Sequence, residues 1–375
     1  MNQIIIMNKD KNDLETPCLI LDQDILEQNL SRMQALAESK GKNLRPHAKT
    51  HKCITLAKKQ IEYGAIGVCA AKISEAELLA KAGIEGILVT GPIASNTGIK
   101  KIIDILVICP SLMITLDSQQ TAETLDNELK KVNLKINVLL DIDAGLHRTG
   151  VKPSDALKLG KYILSKNNLR LCGIQAYAGQ LQHITSFKER RSAAFNCMKE
   201  VIPVFNKLKS ENDDFMIFSA SGTGTFEIDM EIPEITEHQA GSYVFMDSEY
   251  LQIESSEASR HFELFKPALR LLTTVVSTNQ TGFVTVDAGL KSLYKDGGEP
   301  QIITPEFSGL KYDWFGDEYG KVIYNKNQQA PALGTVLELI TSHCDPTINL
   351  FDHIYVTKGS KVVDIWEINL RGCSQ

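Results

Sequence analysis

No stretch of the chain approaches the ~20 consecutive apolar residues that a helix needs to cross a bilayer. Residues 1–15 hold a short apolar patch at 4–7 followed by charges, with neither the apolar run nor the small-residue cleavage site of a secretory leader. A soluble cytoplasmic protein is the expectation. Basic charge is also scarce: 40 Lys and Arg against 46 Asp and Glu leave a net charge of −6. Without a long-range positive field, nucleic acid is excluded as the main ligand, and any phosphate must be met by local groups. CxxC spacing is missing. The eight cysteines stand apart at 18, 53, 69, 109, 172, 197, 344 and 373, several inside apolar runs, and read as reduced, buried thiols. No linker rich in Pro, Gly or Ser, no low-complexity tract and no internal repeat divides the chain.

What remains is a globular composition, 43% hydrophobic and 23% charged, over 375 residues. That length suits a barrel of about 250 residues with a smaller second domain. PCLILD (17–22) reads as a strand, and 23–39 carries apolar residues at helical spacing. Short apolar segments then recur at 43–47, 67–71, 86–90, 112–116, 136–142, 171–176, 216–219 and 235–239. Helical patterns lie between most of them: 74–83, with Ser74 as its expected N-cap and Gly83 as its stop, then 153–165 and 187–209. Eight strands alternating with helices predict a (β/α)8 TIM-like barrel. From about residue 270 onward the pattern changes to β-type runs at 271–277, 283–287, 335–341, 353–357 and 362–368, which predict an antiparallel β domain. The strand near Leu19 has no place in the barrel count and is assigned to that domain. The expected division is therefore 23–248 for the barrel, and 1–22 with 249–375 for the β-rich domain.

The densest polar cluster is Arg45-Pro46-His47-Ala48-Lys49-Thr50-His51-Lys52, at the exit of the first barrel strand. Strand exits form the active face of such a barrel. A lysine there, among cations and partly desolvated, is a better nucleophile than a free one and suits a Schiff base. A basic run is equally what a solvated surface carries, so the residues alone leave both readings open. Ser342-His343-Cys344-Asp345 ends an apolar run, and an imidazole with a carboxylate two residues on projects both to one side of an extended segment. Two such ligands would leave a Zn, Mn or Mg ion open positions. Cys344 is an alternative ligand that would favour zinc. Ser221-Gly222-Thr223 and Gly241-Ser242-Tyr243 place glycines and hydroxyls after the last two barrel strands, where such barrels often hold phosphate. A tight strand-to-helix loop has the same composition.

With RPHAKTHK, DIDAGLHRTGV, QAYAGQLQHI, SGTGTF, AGSYVFMDSEY, VDAGLKSL and SHCDPTINLFD in this order, the chain resembles the fold-type III pyridoxal phosphate enzymes. Within them it is similar to the D-threonine aldolase and D-serine dehydratase group, over most of its length. The resemblance implies an alanine-racemase-like architecture and a homodimer. It makes Lys49 the Schiff-base lysine, with Lys52 its rival, Arg148 the partner of the pyridine nitrogen, and Tyr177 a residue lining the coenzyme. Ser221, Gly222, Thr223, Gly241, Ser242 and Tyr243 would surround the phosphate. His343 and Asp345 would hold a divalent metal (Mn, Mg or Zn), and His183 would act as base at the substrate hydroxyl. The dehydratase branch usually has cysteine where Asp345 stands, so the resemblance favours the aldolase branch. It implies retro-aldol cleavage of a β-hydroxy D-amino acid, D-threonine or D-3-hydroxyaspartate, to glycine and an aldehyde. Dehydration of D-serine or 3-hydroxy-D-aspartate to a 2-oxo acid, a non-enzymatic pyridoxal phosphate carrier and a coenzyme-free lysine aldolase are the alternatives.

Overall fold

The computed structural model describes residues 6–256 and 261–375; positions 4 and 5 of the apolar N-terminal patch lie outside them. Two compact units emerge, one formed by 33–49, 56–241 and 372–375, the other by 1–32, 50–55 and 242–371. The chain starts with strand β1 (Cys18–Asp22) and helix α1 (Gln23–Ser39). Asp22 Oδ1 accepts from Ile25 N at 3.1 Å, so the last strand residue satisfies one of the amides that a helix start leaves unbonded.

The first unit is the barrel. Its strands are β2 (Asn43–Leu44), β3 (Cys69–Ala70), β4 (Leu88–Val89), β5 (Met113–Leu116), β6 (Ile136–Asp141), β7 (Leu169–Ala176), β8 (Ile217–Ala220) and β9 (Glu237–His238). They pair in parallel in the order β2-β9-β8-β7-β6-β5-β4-β3. The ring closes between β2 and β3, where Cys69 N donates to Pro46 O at 2.8 Å and His47 bridges to Cys69. All eight expected strands are present.

Helices α2 (Ile54–Glu62), α3 (Ile73–Lys81), α4 (Asn96–Ile108), α5 (Gln119–Val132), α6 (Pro153–Leu164), α7 (Phe187–Lys209) and α8 (Phe226–Asp229) alternate with the strands. In α5, Ser118 caps Thr121 N, Ala122, Leu125 and Leu129 form the buried stripe, and Asn133 ends the helix in the left-handed region (φ 54°). Ser74 is not the cap of α3. The helix begins one residue before it, because Glu75 reaches back to accept from Ala71 N and Lys72 N at 2.8 and 3.2 Å. Ser74 instead donates to Gln375 O at 2.7 Å.

Barrels of this kind usually fill their interior with branched apolar side chains. Here Cys69, Leu88, Met113 and Leu139 make an apolar layer. Another layer is polar: Gln175 Nε2 donates to Asp141 Oδ1 at 2.9 Å and to Thr90 O at 3.1 Å, and Gln239 Nε2 donates to Gln175 Oε1 at 3.0 Å and Ser219 Oγ at 2.8 Å. Thr90 follows β4, which is not a sheet neighbour of β7, so these bonds cross the interior. Buried amides are tolerated there because each is bonded.

The second unit is β-rich. Strands β10 (Leu269–Ser277), β11 (Phe283–Val286), β12 (Gln301–Ile302), β13 (Lys311–Trp314), β14 (Gly320–Ile323) and β15 (Val336–Ile340) close an antiparallel ring in the order β10-β11-β14-β13-β12-β15. After helix α9 (Cys344–Ile348), β16 (His353–Lys358) and β17 (Lys361–Glu367) pair and join β10 through β1. The expected pairing of β1 with this unit holds. One departure from the antiparallel expectation is β1 with β16, which are parallel. Parallel neighbours need a long connection, and here most of the chain lies between the two strands. Strands 12, 13 and 14 have no counterpart among the expected runs. They are short or carry charges and glycine, so no alternating apolar pattern marks them. Among the described residues no helix is long and apolar enough to cross a membrane. All eight cysteines are thiols, five buried and three (172, 197 and 373) only half-buried, against the expectation that all are buried.

Candidate active site

Five adjacent strands of the barrel unit, β2-β9-β8-β7-β6, end in the residues singled out by sequence. Lys49 lies in the 3-10 turn Ala48–Thr50 beyond β2, Gly241 beyond β9, Ser221 to Thr223 beyond β8, Tyr177 beyond β7, and Arg148 in the loop beyond β6. Lys49 and Tyr177 are half-buried, Ser221, Gly222, Thr223 and Gly241 are buried, and Arg148 and His183 are exposed.

In the run around Lys49 one cation is neutralised. Arg45 is buried and paired in bidentate fashion to Glu237, Nε to Oε1 at 3.0 Å and Nη2 to Oε2 at 2.9 Å, with Nη1 on Gly86 O. His47 Nε2 meets Thr90 Oγ1 at 3.1 Å while that hydroxyl donates to Ala70 O, so Nε2 carries the proton and Nδ1 accepts from Lys49 N at 3.4 Å. Thus Arg45 is neutralised by its partner and adds no net charge beside the half-buried Lys49, whose backbone is tied to His47.

The loop after β8 is tightly organised. Ser221 has φ +81°, a left-handed conformation that glycine adopts without strain and serine does not. Gly222 N donates to Thr225 Oγ1 at 3.3 Å and Gly224 N to Gln182 Oε1 at 2.9 Å. Thr225 Oγ1 donates to Asp229 Oδ2 at 2.6 Å, and burial pushes the Asp229 carboxyl up to about 6. Burial likewise raises Asp141 to about 6. In the loop beyond β6, Asp143 accepts from Gly145 N and His147 N, both at 2.9 Å, and pairs with His147 Nδ1 at 2.7 Å.

The β-rich unit holds the other expected residues. Ser242 and Tyr243 open the buried 3-10 turn Ser242–Val244, where Tyr243 packs on Phe265 with ring centres 5.6 Å apart. His51 is a buried ring whose Nδ1 accepts from Cys53 N at 3.1 Å. His343 and Asp345 do not share an extended segment, as the sequence suggested. His343 is the N-cap residue of α9 and Asp345 lies in its first turn, because Asp247 Oδ2 accepts from Cys344 N at 3.0 Å and holds the helix start.

Four carboxylates gather near this imidazole. Asp296 Oδ2 lies 3.2 Å from His343 Nδ1, which directs Nε2 away from it. Asp247 is buried and pushed up to about 6 by desolvation, offset in part by bonds from Cys344 N and Tyr250 N and by His343, and raised further by Asp345. Glu249 is raised by burial and by Asp247. Gly297 has φ +78°, and a Cβ there would also crowd Glu249 Oε2 and Ser342 O, so glycine suits this position of the Asp296-Gly297-Gly298 turn. Cys344 is fully buried with Sγ on Met246 O at 3.4 Å, a packed thiol and not an open ligand. Among the described residues no three His, Cys, Asp or Glu side chains form a group able to hold a metal ion. That excludes a closed structural site among them, although not an open two-ligand one. Sequence reasoning missed Asp247, Glu249, Asp296, Gln182 and Asp229. Asp247 and Glu249 lie inside the AGSYVFMDSEY motif and Gln182 inside QAYAGQLQHI, but nothing in the sequence gave any of the three a role.

A parallel eight-stranded barrel with a lysine beyond its first strand, followed by a β-rich unit, defines the class of the alanine-racemase-like pyridoxal phosphate enzymes. Residues 21–249 match the family described as alanine racemase, N-terminal domain, and 268–357 match the putative serine dehydratase domain. The chain belongs to this family, in the group of the D-threonine aldolases and D-serine dehydratases. It is 32% identical to a 3-hydroxy-D-aspartate aldolase of Paracoccus denitrificans (strain Pd 1222), over 97% of this chain and 94% of that one. A D-threonine aldolase of an Arthrobacter species is 34% identical over 96% and 94%. The crystal structure of D-threonine aldolase from Filomicrobium marinum superposes with a TM-score of 0.93 at 32% identity, covering both chains completely. Pyridoxal phosphate is the coenzyme that the family implies.

Proposed function

We propose that the chain is an aldehyde-lyase that uses pyridoxal phosphate and a divalent metal to cleave a β-hydroxy D-amino acid into glycine and an aldehyde. The observation that carries this reading is Asp345 standing two residues after His343 in a turn ringed by carboxylates, on a chain whose aldolase relatives align over nearly its full length. The donor set suits the coenzyme: an amine at Lys49, buried hydroxyls at Ser221 and Thr223, and a permanent cation at Arg148. The site near His343 suits a cation, since Nδ1 is oriented by Asp296, leaving Nε2 and the Asp345 carboxylate as ligands. Gly241, Ser242 and Tyr243 complete the phosphate surroundings in this reading.

When bound, pyridoxal phosphate supplies an electron sink for charge at Cα, and the metal a Lewis acid at the β-oxygen. Lys49 would hold the coenzyme through its amine, Arg148 would be the guanidinium partner of the ring nitrogen, unable to give it a proton, and Tyr177 would line the ring. A ring nitrogen of the exposed His183 would take the β-hydroxyl proton as the Cα–Cβ bond breaks, with the electron pair left on Cα and Cβ leaving as the aldehyde carbon; a proton from solvent would complete glycine while His183 returns its own to solvent. We place this chemistry in a homodimer acting in the cytoplasm, with the barrel domain at 23–248 and the metal-bearing domain formed by 1–22 and 249–375.

The test is product analysis. Protein loaded with pyridoxal phosphate and manganese is incubated with D-threonine, D-serine and D-3-hydroxyaspartate. Acetaldehyde from D-threonine, or glyoxylate from D-3-hydroxyaspartate, each with glycine, is the expected result. Release of 2-oxobutyrate or pyruvate with ammonia would establish dehydration instead, and no turnover with any of the three would leave a coenzyme carrier.

A further inference from the structure

The glycines of Ser221-Gly222-Thr223-Gly224-Thr225 look like a backbone cradle for phosphate, yet the structure gives their amides other partners. Gly224 N donates to Gln182 Oε1 at 2.9 Å, and Gly222 N donates to Thr225 Oγ1. Gln182 is buried, and its amide is fully engaged: Nε2 donates to Thr225 Oγ1 at 3.1 Å and to Ala178 O at 3.2 Å. Its orientation is not arbitrary, since the Gly224 amide can only donate and the Ala178 carbonyl can only accept. Thr225 is saturated in turn, accepting from Gln182 and Gly222 while donating to Asp229.

Sterics point the same way. A Cβ on Gly222 would land on the Gln182 side-chain amide, and one on Gly224 on the Gln182 carbonyl. Both glycines are therefore required by Gln182, whatever else approaches the loop. Arg190, fully buried on α7, binds the two segments together from behind, with Nε on Gly224 O at 2.7 Å and Nη1 on Ile184 O. On the other side of the same turn, Gln180 Nε2 donates to Ala144 O at 3.0 Å, in the loop that leads to Arg148.

We propose that Gln182 is a positioning residue for the coenzyme phosphate, setting the shape of the loop 221–225 from the neighbouring strand end. The inference rests on the reading that this loop meets the phosphate. The Ser221 hydroxyl is itself held, on Gly222 O at 3.4 Å, so what Gln182 sets is the backbone path of the loop that carries Ser221 and Thr223. Loss of its amide releases Gly224 N and Thr225 Oγ1 together, so the loop loses the shape that meets the phosphate while attachment of the aldehyde to Lys49 is untouched.

The experiment resolves the coenzyme from full-length wild type, Gln182→Ala, Gln182→Glu and Thr223→Val. Each apoprotein is then titrated with pyridoxal phosphate and with pyridoxal, following the visible band of the bound coenzyme. Gln182→Glu keeps the side-chain volume and the acceptor for Gly224 N, and circular dichroism melting checks that each variant is folded. Both Gln182 variants are expected to bind pyridoxal phosphate at least tenfold more weakly, with pyridoxal changed less than twofold. Equal weakening of the two ligands would reduce Gln182 to a general structural role and overturn the proposal, as would wild-type affinity in both variants. Thr223→Val reports on the loop itself. If it lowers the preference for the phosphorylated ligand and the Gln182 variants do not, the clamp fails and the loop reading stands. If it leaves the preference intact, the loop reading fails and the proposal with it.

Discussion

The barrel mouth and the His343 turn solve opposite electrostatic problems. At the mouth, polar side chains are buried in a chain whose net charge offers a phosphate nothing, and the structure answers with pairing: Arg45 on Glu237, Gln175 on Asp141, Gln182 on Gly224 and Thr225. Around His343 the structure gathers Asp247, Glu249, Asp296 and Asp345 beside a single imidazole. Like charges held together cost free energy unless a cation joins them. The lesson is that paired polar groups fix a loop in place, whereas carboxylates gathered at one imidazole make the surroundings that the proposed metal would need.

That contrast can be broken at several points. The largest effect is expected at Lys49. Lys49→Ala should abolish the visible band of the bound coenzyme and lower turnover at least 10³-fold, about 4 kcal/mol of barrel-mouth chemistry. A retained band would transfer the covalent role to Lys52. Next, chelation or His343→Ala should cut turnover by about 10²-fold or more while the visible band persists, because the residues proposed for the metal are not those proposed for the coenzyme. Unchanged activity after dialysis against EDTA would remove the metal from the scheme.

Asp296→Asn sharpens the comparison, since it keeps a hydrogen-bonding group beside His343 Nδ1 but removes the charge. Metal affinity, read by competition with a chelating dye, should fall about 10-fold to 100-fold, the range found for such outer partners. An unaltered affinity would show that Asp296 does not orient the ring. The smallest effect on turnover is expected from Asp229→Asn, which keeps an acceptor for Thr225. The Asp229 carboxyl sits at about 6 against an ordinary 3.8, so its contribution to stability is complete below pH 3.8 and is lost as pH rises through 6. The variant should match wild type near pH 4 and exceed it by on the order of 2–3 kcal/mol at pH 7. Urea unfolding at both pH values decides this, and a gain that does not depend on pH would contradict it.

Much of the fold was legible because it is periodic. Apolar spacing located the eight barrel strands and gave α1 and α7 their bounds. Ser74 misled because a serine before an apolar run looks like a cap, and only the returning carboxylate of Glu75 shows where α3 begins. The candidate residues were legible as motifs, but their surroundings were not. His343 and Asp345 looked extended since nothing local announces that Asp247 will hold Cys344 N and turn the segment into a helix.

By itself the sequence determined the alternation of strand and helix, the change to β structure after the barrel, and the order of the motifs. All of these follow from side-chain period and local backbone preference over a few residues. Tertiary structure alone decided that Arg45 would be neutralised by Glu237, that Gln182 would accept from Gly224 N, and that Asp296 would face His343. Those partners lie 192, 42 and 47 positions apart. Which distant side chains meet is set by strand register and loop closure, and no short-range pattern encodes either.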